Sequence, residues 1–151
     1  MFNDNDPLNF PQKPPVNTGH GLANLLVPKQ LTLAHSLEEI LAYARKENAS
    51  DVHLSPANPI ILRKNGRLIS VTSELLTDRH IRYLLIKCLP TKVMERFDAT
   101  GDCECVHTIT GFGRFRITIM KQRFGWEASI RLIAQEIPRF AASGMPTPCA
   151  N

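Results

Sequence analysis

The sequence has no apolar run approaching the ~18 residues that a membrane-crossing helix needs. Its opening, MFNDNDPLNF, has no basic region followed by an apolar one, so it does not read as a secretory signal. Cysteine is scarce: Cys88, Cys103, Cys105 and Cys149 are the only four, and none forms a C-x-x-C pair. A cytosolic, reduced protein fits that usage best. Neither G-x-x-x-x-G-K-[ST] nor G-x-G-x-x-G occurs, so the chain lacks a phosphate loop of its own and is not expected to hydrolyse nucleotide alone. Asp51 and His53 are close enough in sequence to pair, but no serine or cysteine is placed with them to make a nucleophile triad. No internal repeat is present.

What is there is ordinary in bulk. The 151 residues are 43% hydrophobic and 21% charged, as expected for one globular domain with some tail. The net charge of +4 and pI near 9.0 permit an acidic partner without requiring one. Residues 1–35 read as a Pro-rich mobile tail, interrupted by Pro7, Pro11, Pro14, Pro15 and Pro28. Leu22, Leu25, Leu26 and Val27 form one apolar patch within it. Ser36 and Glu39 then match a capping box, with Leu37, Ile40, Leu41 and Ala44 on one helical face.

A short strand DVHL follows, in which Asp51 and His53 share the face opposite Val52 and Leu54. Ile60 to Arg63 and Arg67 to Val71 read as strands around the hairpin signal Asn65-Gly66. A second helix is predicted from Asp78 to Leu89 with Thr77 as cap. A third, capped by Thr91, carries Val93, Met94 and Phe97, and a strand is predicted from Cys103 to Ile109. Strands joined by tight turns imply antiparallel pairing. The predicted class is α+β: one antiparallel sheet with helices over one face.

The most informative stretch is GRFRITIMKQRFGWEASIRL, residues 113–132. Phe115, Ile117 and Ile119 alternate with Arg114, Arg116, Thr118 and Met120; Trp126, Ala128, Ile130 and Leu132 alternate with Glu127, Ser129 and Arg131. This is the period of half-buried strands. A hairpin centred between Arg123 and Phe124 sets Arg116 opposite Arg131 on the non-core side, an arrangement that is destabilising for like charges. The two guanidiniums either splay into water or hold an anion, most naturally a phosphate. Phe115, Phe124 and Trp126 beside these charges raise nucleic-acid binding, but the alternation assigns Phe115 and Trp126 to the core, and no nucleic acid is expected. Cys103, Cys105 and His107 share a strand face, yet same-face positions are ~6.7 Å apart, too far to converge on a metal without a bulge, so no metal is expected.

In order, NASDVHLSPANPIILRKNGRL, FDATGDCEC, GFGRFRITIMKQRFGWEASIRLI and IPRF followed by GMP resemble the N-terminal domain of the secretion ATPases. These are the motors of type II secretion, type IV pilus extension and retraction, and conjugative and Dot-type type IV secretion. The resemblance spans roughly Ser36 to Pro146. It implies a PAS-like domain of about six strands over residues 36–138, an interdomain linker beginning at 139–151, and a RecA-like ATPase domain, whose Walker motifs this sequence lacks.

It further implies that the domain is non-catalytic while the full-length protein is an ATPase using ATP with Mg²⁺. The arginines that touch the phosphates are the second of R-F-R and one fifteen residues on, here Arg116 and Arg131 (131 − 116 = 15). In this sequence Arg114 and Arg123 are further candidates that substitute for or assist the pair. The partners implied are the chain's own ATPase domain, five further copies in a homohexamer, and inner-membrane platform proteins. The location implied is cytoplasmic, peripheral to the bacterial inner membrane. The competing expectation is a protein-interaction module that docks a neighbouring subunit or platform protein without touching nucleotide. Where the family commonly has acidic or polar residues, this chain has Cys103 and Cys105.

Overall fold

The computed structural model describes residues 30–136. The predicted apolar patch at Leu22 to Val27 and the linker segment at 139–151 lie outside them. Helix α1 (Leu37–Lys46) is followed by strands β1 (Asp51–Leu54), β2 (Ile61–Lys64) and β3 (Arg67–Ser70). Helices α2 (Asp78–Cys88) and α3 (Thr91–Thr100) come next, then β4 (Asp102–Ile109), β5 (Gly113–Gln122) and β6 (Gly125–Leu132). The six strands form one antiparallel sheet in the order β3-β2-β1-β6-β5-β4, so the α+β class holds.

Local chemistry explains most boundaries. At α1 the Glu39 amide donates to Ser36 Oγ at 3.3 Å and the Ser36 amide donates to the Glu39 carboxylate at 2.6 Å, which closes the capping box. Asn65 and Gly66 take φ of 50° and 75°, the left-handed pair that matches a two-residue hairpin to the strand twist. Helix α3 departs from expectation. Its N-cap is Pro90, with φ −60° and no side-chain cap bond, and Thr91 is already helical. The proline ring fixes the φ at which the chain enters the helix, so the threonine is not needed as a cap. Strands β2 and β3 are shifted or shortened by one residue against the expected spans, and α2 stops at Cys88 with Leu89 extended before Pro90.

Alternation divides the sheet into two faces. Val52, Leu54, Leu62, Phe115, Ile117, Ile119, Ala128 and Ile130 are buried against the helices. Phe97 of α3 meets Trp126 of β6 edge-on, ring centroids 4.6 Å apart at 80°, which ties helix to sheet. Leu31, which the sequence assigns to the tail, is only 2% exposed and belongs to this core. Arg45 fastens α1 to the sheet ends: it donates to the carbonyls of Phe112, Ile133 and Arg114 at 2.8, 3.0 and 3.1 Å and lies over the Phe115 ring. No helix is long and apolar enough to cross a membrane among the described residues.

Candidate functional site

Among the described residues, the opposite face of the sheet carries no helix. In the β5–β6 hairpin Arg116 pairs with Arg131, Thr118 with Ser129 and Met120 with Glu127, the register that the periodicity predicts. The neighbouring strands extend this row. Arg131 pairs with Asp51, Asp51 with Arg63, Arg63 with Leu68, and on the other side Arg116 with Val106. One line of side chains therefore crosses all six strands: Leu68, Arg63, Asp51, Arg131, Arg116, Val106.

The chain resolves the like-charge contact in a way that sequence reasoning missed. Arg131 Nε donates to Asp51 Oδ1 at 3.1 Å, and Arg63 Nε lies 3.6 Å from the other oxygen. Arg116 Nε lies 3.8 Å from Glu104, which also accepts from Thr118 Oγ1. Each guanidinium thus has a flanking carboxylate. The two carboxylates differ in kind. Asp51 is the only buried charged residue among the described residues, at 6% exposure, whereas Glu104 is open to water. Burial alone raises the Asp51 carboxyl; hydrogen bonds from Ser50 and Arg131, with the charges of Arg131 and Arg63, outweigh it and hold the group below its ordinary value. It is ionised at neutral pH.

Arg116 and Arg131 remain substantially accessible, with side chains 48% and 62% exposed. Arg114, two residues before Arg116 on the same face, is exposed beside them. Arg123 is not with them. It sits in the hairpin turn over the Phe124 ring, seven residues from Arg116, which is roughly 20 Å along an extended strand. Phe115 and Trp126 are buried, as their alternation predicts, and Phe124 is exposed at the tip. His53, one row from Asp51, has its Nε2 buried with no hydrogen-bond partner, so Asp51 and His53 do not pair.

A second cluster lies on the helix side. Cys103, Cys105 and His107 stay on an unbroken β4 ladder and do not converge. His107 instead meets residues of two helices: its Nε2 is 3.3 Å from Cys88 Sγ and 3.5 Å from Glu38 Oε1. Burial, then the charges of Glu38 and Cys105, push the Cys88 thiol up to about 12.

No family model matches the sequence. It is 26% identical over 109 residues to the type IV pilus retraction ATPase PilT of Pseudomonas aeruginosa, covering 72% of this chain and 32% of PilT. It is 24% identical over the same length to the type IV pilus ATPase PilU of that organism, covering 28% of PilU. The chain thus spans about a third of the length of the curated relatives it matches. Among solved structures, the pilus retraction motor PilT with bound ADP superposes with a TM-score of 0.63 at 25% identity, over 76% of this chain and 34% of that one. The ATPase DotB of Legionella pneumophila shares the fold, with a TM-score of 0.58 at 18% identity over 82% of this chain and 35% of that one.

Proposed function

Because this chain is an N-terminal domain of the secretion and pilus ATPase family, we propose that its open sheet face supplies arginines to nucleotide phosphates held by a RecA-like ATPase domain outside these residues. The observation that carries the proposal is the registered pair Arg116–Arg131, on one face and open to an approaching domain. Guanidinium forks fit phosphate oxygens, and the sequence contains no phosphate-loop motif. ATP and Mg²⁺ would therefore be bound by the partner domain, with Arg116 and Arg131 completing the site and Arg114 flanking it. Arg123, at the hairpin tip, is too distant to reach the same phosphate and serves the rim of the interface.

The carboxylates make this a reversible exchange. When Arg131 turns to phosphate, Asp51 keeps Ser50 Oγ at 2.9 Å and Arg63 at 3.6 Å, so its buried charge is not stranded. When Arg116 turns, Glu104 hydrates, because an exposed ion pair contributes only about 0–1 kcal/mol. A γ-phosphate thus favours the closed arrangement of the two domains, and its loss returns each arginine to its carboxylate. That is a differential-affinity switch. In a homohexamer, peripheral to the inner membrane on the cytoplasmic side, alternating closure would move this domain against the motor domain. The motion would pass force to platform proteins for pilus assembly or retraction, conjugation or secretion.

The test is ATPase turnover of the full-length motor. Arg116→Ala and Arg131→Ala should each cut it while the domain's circular dichroism is unchanged; wild-type turnover in both defeats the reading. A second reading has its own support. Leu68 and Val106, 60% and 58% exposed, end the arginine row at its two edges, a composition that suits a protein surface. Crosslinking of this face to a neighbouring subunit or platform protein without nucleotide dependence would favour it.

A further inference from the structure

We propose that Glu38, Cys88 and His107 bind a divalent transition metal of the zinc type. The three come from different elements: the first turn of α1, the last residue of α2, and β4. Bonds of ~2.3 Å to sulfur and ~2.1 Å to nitrogen or oxygen, at tetrahedral angles, set ligand–ligand edges of roughly 3.4–3.6 Å. The observed edges are 3.3 Å from Cys88 Sγ to His107 Nε2 and 3.5 Å from His107 Nε2 to Glu38 Oε1, with all three atoms within 4.8 Å of one another.

Hydrogen bonding explains this geometry less well. With Nε2 facing both groups, a single N–H serves them only as a divided donor, with sulfur a weak acceptor. A cation between the three atoms meets both at once. Thiolate with imidazole is the ligand softness that zinc takes, and one thiolate plus one carboxylate neutralise a divalent charge. Binding releases the Cys88 thiol proton to solvent and leaves the fourth position to water, which reaches the site past Glu38, 36% exposed. The metal would clip both helices to β4 on the face away from the arginine row.

Cobalt titration of the 151-residue chain, after chelator treatment, tests this directly. One equivalent should bind with a thiolate-to-cobalt charge-transfer band, zinc should displace it, and the melting temperature should rise with either metal. Cys88→Ser should abolish the band and weaken binding at least roughly tenfold, as losing even an outer-shell partner does. Glu38→Gln and His107→Gln should weaken it too, and Cys103→Ser should not. No saturable uptake by the wild-type chain, or a band that survives Cys88→Ser, overturns the proposal. Should Cys88→Ser fail to fold, alkylation of the wild-type chain read by mass spectrometry decides: zinc must protect Cys88, and unchanged labelling of Cys88 overturns the site.

Discussion

Replacing Asp51 with asparagine removes the charge at the centre of the arginine row and keeps the side chain's volume. In the folded chain that carboxylate accepts from Arg131 at 3.1 Å and from Ser50 at 2.9 Å, and faces Arg63 at 3.6 Å, at 6% exposure. Hydrogen bonds to charged groups contribute about 1.5–3 kcal/mol, and removing one member of a fully buried pair costs about 3–5 kcal/mol. Arg131 is 62% exposed and rehydrates when its partner is lost, so the lower range governs and the expected loss is about 2 kcal/mol. For a domain of this size that lowers the melting temperature by about 8–10 °C.

The pH dependence has a fixed sign. The folded carboxyl lies below its unfolded value, so its stabilisation is complete above about pH 4 and disappears as pH falls through the folded value. Melts followed by circular dichroism should show wild type well above Asp51→Asn at neutral pH, with the gap closing on acidification below about pH 4. Glu104→Gln is the internal control: its exposed pair with Arg116 predicts a change within about 0.5 kcal/mol. Equal melting of Asp51→Asn and wild type at neutral pH, or a gap that persists in acid, would refute the argument.

Three further outcomes are expected. Gly125 has φ of 130°, and a Cβ there would run into the Asp78 carboxylate that accepts from the Trp126 amide at 2.7 Å. Gly125→Ala should therefore destabilise by about 1–3 kcal/mol in chemical denaturation, through strain at an unfavourable backbone angle and loss of the α2–β6 tie. Ser36→Ala removes the α1 capping box and should cost about 1 kcal/mol by the same measurement, without changing the fold's circular dichroism. Arg45→Lys should lose at least about 2 kcal/mol, because an ammonium cannot serve three separate carbonyls and stack on Phe115 as the guanidinium does.

The arginine pair was legible because its members lie on consecutive strands. A tight turn fixes the register of a hairpin, and alternation then says which side chains share a face, so Arg116 opposite Arg131 needs nothing beyond residues 113–132. Its counter-ion was not legible by that route. Arg131 and Asp51 are 80 residues apart and meet only because β6 pairs with β1, a closure that no local turn announces. The same limit hid the cluster of Glu38, Cys88 and His107, which needs two helix docking angles as well as a strand face.

One local signal was available for Asp51. It occupies a four-residue strand, DVHL, whose other face is apolar, and a carboxylate so close to the middle of a sheet needs a cationic neighbour to stay charged. Arg63 and Arg131 are the residues that the two flanking strands place opposite it. Asp51 is thus evidence about strand order: a carboxylate this buried needs cations on both sides, and it is stable between β2 and β6 because each contributes an arginine at the register it occupies. The charge row across the open face is also part of what fixes the order of the central strands.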